Sequence, residues 1–234
     1  MREHEYGFQY LARQRDHAQK KTWRAVERET PEWKAKRDAY EQEISAIPHE
    51  DRVYLDESGV NRAMANAYGR SPKGERAHGT RPARRGSNTT MAGMITGDGD
   101  FHVYTFRKPM NGPAFLGFLA GGVLPKLRPG QAIIMDNPRI HHIPGIREII
   151  EEAGCRLLYL PTYSPELNPI EECWSKVKAG LRAIKARTQE ALESAVQAVV
   201  RTVTPQDAAG WFAHSDTFLT RNQLVSMPIL FGNS

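Results

Sequence analysis

The chain of 234 residues is 40% hydrophobic and carries a formal net charge of +5, a composition that buries one sizeable core and suits one globular domain with an extension. Its longest apolar run, residues 114–124, is broken by three glycines and is too short to cross a bilayer. The highly charged first 25 residues lack the apolar centre of a signal peptide. Membrane and secretory roles are argued against, a cytoplasmic location is expected, and the two cysteines, Cys155 and Cys173, fit a reducing compartment without metal-ligand company in sequence.

Residues 1–29 mix Lys20, Lys21, Arg24 and Arg28 with aromatics and acids and show no firm pattern. Thr30-Pro31-Glu32 is a helix start, and Trp33, Tyr40, Ile44 and Ile47 fall near one face until Pro48 stops the helix. That apolar face predicts a brace packed on the main domain. VYLDESG at 53–59 is a short strand carrying Asp56 in its second half. The polar segment 61–88 is rich in Gly, Pro and Arg, and loops of that length inside a domain are usually functional or disordered. Its residues 62–87 hold seven Arg and Lys against one acid, Glu75, so the loop carries +6 and the rest of the chain −1. A basic excess confined to one loop points to a polyanion contact.

Strands are expected at Thr89–Thr96 and Phe101–Phe106, joined as a hairpin by GDGD, whose Asp98 and Asp100 a turn explains. Asn111-Gly-Pro opens a helix over 111–123 with Phe115, Leu116, Phe118 and Leu119 on its buried face. The apolar run Ala132–Met135 is a buried strand that delivers Asp136 and Asn137 to its carboxyl end. An amphipathic helix over 144–153 stops at Gly154, and a strand at Arg156–Leu160 opens into the turn-rich PTYSPELNP.

The next helix has Asn168 placed to cap it and Pro169 at its first position, so Glu171 lies in the first turn, with 34 residues, 137 to 170, between it and Asp136. Trp174, Val177 and Leu181 continue its apolar face. Thr188 is placed to cap a helix bearing Leu192, Ala195, Val196, Val199 and Val203, and Thr204-Pro205 start a last short helix reaching Trp211 and Phe212, before a weakly patterned tail. Three strands, helix, strand, helix, strand, helix is the order of the α/β ribonuclease H-like fold, a central mixed five-stranded sheet flanked by helices. Strands one and four are neighbours there, which would set Asp56 beside Asp136.

Two acids on strands and a third on a later helix can hold divalent cations through oxygen ligands, as phosphoryl transfer requires. LDESG, MDN with a following HH, and LPTYSPELNPIEECW together closely resemble bacterial insertion-sequence transposases of the mariner superfamily, over roughly residues 20–212. The resemblance implies that Asp56, Asp136 and Glu171 are the catalytic acids and that two Mg²⁺ or Mn²⁺ ions are the cofactors, Asp56 bridging both and the other acids holding one each. It implies cleavage of DNA at transposon ends followed by strand transfer into target DNA. In such enzymes a loop at position 61–88 clamps the partner subunit and DNA, and YGRSPKGER at 68–76 resembles its start. The expected DNA contacts are therefore Arg70, Lys73, Arg76, Arg81, Arg84 and Arg85, with His141 able to reach a phosphate, and a homodimer through the clamp loop is the expected assembly.

The implied organisation is a helical extension over 1–50, a catalytic domain over 51–215 and a tail over 216–234. Relatives carry helix-turn-helix modules ahead of this region. The sequence offers none, so it resembles the downstream frame of a split gene or a truncated copy, with an upstream-encoded module as a possible partner.

Several local readings remain open at this level. Asn168-x-x-Glu171 has capping-box spacing, which would give Glu171 a purely structural task. Glu172 rivals Glu171 as the third acid but lies about 100° round the helix. Glu57 points to the opposite face of its strand from Asp56, and Asn137 is placed to orient Asp136. Pro138 departs from the small residue expected after MDN, and His214-Ser-Asp-Thr departs from the family pattern near the C-terminus. A nuclease of the same fold that only hydrolyses, and a silent regulatory or dimerisation module of a full transposase, are the alternatives.

Overall fold

The computed structural model describes residues 25–225, with side chains to Leu219. The chain runs α1 (Pro31–Ser45), β1 (Arg52–Val60), β2 (Thr89–Thr96), β3 (Phe101–Phe106), α2 (Gly112–Phe118), β4 (Ala132–Met135), α3 (Ile146–Glu152), β5 (Arg156–Tyr159), α4 (Pro169–Ile184), α5 (Gln189–Val200) and α6 (Pro205–Val225). The five strands form one sheet in the order β3-β2-β1-β4-β5. β1, β2 and β3 pair antiparallel, while β4 lies parallel to β1 and β5 parallel to β4. This is the mixed, helix-flanked sheet that the element order implies.

Alternation along the strands divides the core in two. Tyr54, Met91, Ile95 and Ile134 face a layer built from α1, α4, α5 and α6. Val53, Leu55, Met94 and Ile133 face α2 and α3. By the same alternation Asp56 belongs to the face of Tyr54, toward α4, and Glu57 to the face of Leu55.

The expected brace is present and integral. Thr30 caps α1 by accepting from the Trp33 backbone N–H at 3.2 Å, and Tyr40 and Ile44 enter the same core as α4. Arg37, buried, donates to Glu41 at 2.7 Å and to Glu166 at 2.8 Å, and Arg28 adds a second pair to Glu166 at 2.5 Å. Trp33 Nε1 donates to the Thr162 carbonyl at 2.7 Å. The helix thus grips the turn that succeeds β5.

Three elements differ from expectation. The helix over 111–123 is α-helical only to Phe118 and then widens into a π turn over Leu119–Val123. Within that turn Gly122 lies against Tyr104: a Cβ there would meet the ring at 3.1 Å, and the Gly122 carbonyl accepts from Tyr104 Oη at 3.0 Å. The last helix is not short: α6 runs 21 residues to Val225, because Gly210 is tolerated in mid-helix and no proline intervenes. The tail expected from residue 216 therefore begins inside α6. The expectations for residues 1–24 and 226–234 lie outside the described residues.

Candidate active site

Parallel pairing of Leu55 with Met135 places Asp56 and Asp136 one step further on, Asp56 within β1 and Asp136 just past the carboxyl end of β4. Open α/β sheets present their ligand sites at that edge. Both acids and Glu171 line one cleft of about 300 Å³, walled by the turn after β5.

Asp56 is held from α4. Its Oδ2 accepts from Trp174 Nε1 at 2.9 Å, while the indole is buried and packs edge-on to Phe101, ring centroids 5.7 Å apart. The close approach depends on Gly93, the residue paired with Asp56 on β2, where a Cβ would lie 2.6 Å from the indole. Sequence reading placed Trp174 only on an apolar face; a tryptophan three residues beyond the third acid was the available signal, since a buried indole N–H needs an acceptor.

Asp136 is held from the other side. His141, five residues on in a short 3-10 turn, is fully buried against the Phe115 ring, centroids 4.1 Å apart. Its Nδ1 donates to the Asp136 carbonyl at 3.1 Å and lies 3.1 Å from Oδ1 of the same residue, while Nε2 donates to Glu57 Oε1 at 3.1 Å. Burial alone would push the imidazole down, but the hydrogen bonds to Asp136 and Glu57 outweigh it and raise its pKa to about 10. The expected phosphate contact by His141 is thereby corrected: a buried ring with both nitrogens engaged inside the protein is not available to DNA. Glu57 does face away from Asp56, and its partner is this histidine. Glu57, Asp136 and His141 bring one ligand atom each within 4.8 Å of one another, joined by the contacts of the two ring nitrogens.

Asn137, expected to orient Asp136, instead pairs with His142, whose ring stacks on Tyr159 at 4.4 Å. Glu171 is exposed in the first turn of α4. The capping box does not form: the Asn168 side chain makes no cap hydrogen bond, and its buried Oδ1 has no hydrogen-bond partner among the described residues. Glu172 turns away and pairs with His214 Nδ1 at 2.5 Å.

Burial, reinforced by the nearby carboxylates of Glu171, Asp136 and Glu57, pushes the Asp56 carboxyl up to about 8, with only the Trp174 N–H working the other way. Three carboxylates lining one cleft, two of them close enough to raise Asp56, are the donor set that suits a hard divalent cation. The residues therefore fit Mg²⁺ or Mn²⁺.

The segment 61–88 has neither helix nor strand, and Arg70, Lys73, Arg76, Arg81, Arg84 and Arg85 are all exposed on it. Its base is tied down by Arg187, which donates to the carbonyls of Arg62 at 2.7 Å and Met64 at 3.1 Å. Arg81 and Arg85 share a concavity of about 390 Å³ with Arg182 of α4. Among the described residues no helix is long and apolar enough to cross a membrane.

The model of a family described as DDE superfamily endonuclease matches residues 51–193. No curated protein matches the chain by sequence. Among solved structures, the chain is similar to the Mos1 transposase paired-end complex with left transposon end, at 13% identity and a TM-score of 0.71 over 88% of this chain. It is also similar to the Mos1 mariner paired-end complex with Mn, at 14% identity and a TM-score of 0.66, covering 91% of this chain and 67% of that one. The catalytic domain of Mos1 mariner transposase matches at 13% identity and a TM-score of 0.58, covering 86% of this chain and 93% of that domain. The chain spans 66% of the length of the Mos1 chain in the paired-end complex with the left transposon end, and these likenesses establish the ribonuclease H-like fold.

Proposed function

Because the chain belongs to the DDE superfamily endonucleases, we propose that it is the catalytic portion of a mariner-type transposase that cuts DNA at transposon ends and joins them to target DNA. The observation that carries the reading is the meeting of Asp56 on β1 and Asp136 at the end of the neighbouring β4 with Glu171 in the same cleft. Asp56, Asp136 and Glu171 are the catalytic acids in this reading and hold two Mg²⁺ or Mn²⁺ ions. Bound there, the cations supply Lewis-acid polarisation of the phosphoryl group and neutralise charge developing on the attacking and leaving oxygens.

The protein's own residues supply position. Trp174 fixes the Asp56 carboxylate from α4, and His141 fixes the Asp136 end of β4 from beneath. Glu171, exposed at the helix start, closes the set from the third side. Arg70, Lys73, Arg76, Arg81, Arg84 and Arg85 hold the phosphate backbone beside the cleft, contacts that set register without reading sequence. A second copy docked through loop 61–88, a helix-turn-helix module encoded upstream and action in the bacterial cytoplasm complete the proposal. Structures similar to this chain are Mos1 transposase complexes with transposon-end DNA and strand-transfer products, which supports the choice of transposition over hydrolysis alone. The test is a strand-transfer assay with pre-cleaved ends and Mg²⁺ or Mn²⁺: joined products are expected, and cleavage without joining would reduce the protein to a nuclease.

A further inference from the structure

Among the described residues only two other than glycine have positive φ, Lys185 at 56° and Tyr163 at 60°. Lys185 is explained, because it ends α4 with its backbone N–H returned to the Leu181 carbonyl. Tyr163 ends no helix. A bulky side chain avoids this conformation, and glycine or asparagine would enter it at lower cost. The turn nevertheless imposes it. Trp33 Nε1 and Ser164 Oγ both donate to the Thr162 carbonyl, at 2.7 and 3.4 Å, and Pro161 and Ser164 on either side are buried. Two arginines clamp Glu166 three residues on. The result is a rigid turn that holds out one aromatic ring.

That ring is 56% exposed, and its hydroxyl makes no hydrogen bond among the described residues. It lines the same cleft as Asp56, Asp136 and Glu171, together with Pro138 and Pro161. The cleft's volume of about 300 Å³ lies at the small end of ligand sites. It therefore has an anionic, cation-holding floor and an aromatic and prolyl wall. A phosphodiester with its attached nucleoside has the matching polarity: the phosphate meets the floor and the base meets the wall.

We propose that Tyr163 is a substrate-positioning residue that stacks on the nucleobase next to the scissile phosphate, taken out of the duplex stack. The inference rests on the reading of the acids as a DNA-cleaving site. Stacking on an aromatic face accepts any base, so Tyr163 favours DNA whose terminal base pair is open, whatever its sequence. Aromaticity is the requirement, and the phenolic hydroxyl is dispensable.

The test uses the full chain and a duplex with a single-stranded 3′ end bearing 2-aminopurine at its last nucleotide, in Ca²⁺ for binding and in Mn²⁺ for cleavage. Wild type, Tyr163→Phe and Tyr163→Trp are expected to quench 2-aminopurine fluorescence. Tyr163→Ala and Tyr163→Asn should leave it unquenched and bind the open end about tenfold more weakly, with unchanged affinity for a closed duplex. The asparagine variant suits the left-handed backbone, so its loss reports the ring and not the turn. Wild-type cleavage in Mn²⁺ with quenching that survives Tyr163→Asn overturns the stacking role alone. A change in self-association in Tyr163→Asn without a change in quenching overturns it in favour of a protein contact. A wild type that neither cleaves nor quenches overturns the DNA-cleaving reading and this inference with it.

Discussion

Trp174 Nε1 donates to Asp56 Oδ2 at 2.9 Å across the junction of α4 and β1. One hydrogen bond thereby ties the helix that carries Glu171 to the strand that carries the first acid. Partners standing behind metal ligands typically cost 10- to 100-fold in metal affinity when removed. Trp174→Phe keeps most of the packing against Phe101 and deletes only the donor. It is expected to weaken Mn²⁺ binding about tenfold or more while the protein stays folded, as read by calorimetric titration. Affinity equal to wild type would show that the indole serves packing alone.

The carboxyl of Asp56 is raised to about 8 from an ordinary 3.8. The folded state thus prefers it protonated, so this contribution to stability is fully present below about pH 4 and is lost as pH rises through about 8. Asp56→Asn cannot ionise and keeps an oxygen for Trp174. In EDTA its melting temperature should pull ahead of wild type progressively from pH 5 to pH 9, and Mg²⁺ should restore wild type while leaving the variant unmoved. A gap that does not change with pH would mean that Asp56 ionises without strain.

On the basic loop, Arg81→Gln, Arg84→Gln and Arg85→Gln together remove three exposed cations. Each lost phosphate contact lowers the salt slope of duplex binding by about 0.9, so the triple variant should lose up to about 2.7 from the slope. An unchanged slope would assign these arginines to solvent or protein.

Glu166 takes two arginine partners, with Arg37 buried. Neutralising it removes the carboxylate of Arg28 and one of the two that Arg37 holds, a change that costs about 3–5 kcal/mol for a buried pair and less here because Glu166 is partly exposed and Glu41 remains. Glu166→Gln should lower the midpoint of urea unfolding and release the turn that α1 grips. Unchanged stability would show that the cluster is held by Glu41 alone.

Much of this was legible in sequence because it depends on local periodicity. The four-residue apolar strand before Asp136 and the Asn168-Pro169 entry to α4 both announce an acid at the end of a regular element. What was not legible depends on chain segments far apart. The Trp174–Asp56 bond joins residues 118 positions apart, and the space for it comes from Gly93, a glycine that a strand pattern alone presents as a weakness. His141 was misjudged for a related reason: its exposure depends on Phe115 and Glu57, neither near it in sequence. Asn168 has the composition of a cap, but its side chain makes no cap hydrogen bond and the residue lines the cleft instead.

In the proposed site Glu171, not its neighbour, stands with Asp56 and Asp136. Nicking of supercoiled plasmid in Mn²⁺ by wild type, Glu171→Gln and Glu172→Gln tests it most directly. Glu172 does not line the cleft and gives Oε1 to His214, so Glu172→Gln should nick at close to the wild-type rate. Glu171→Gln removes an anionic ligand at nearly constant volume and should fall to about 1% of wild type or less. Nicking retained by Glu171→Gln and abolished by Glu172→Gln would contradict the account.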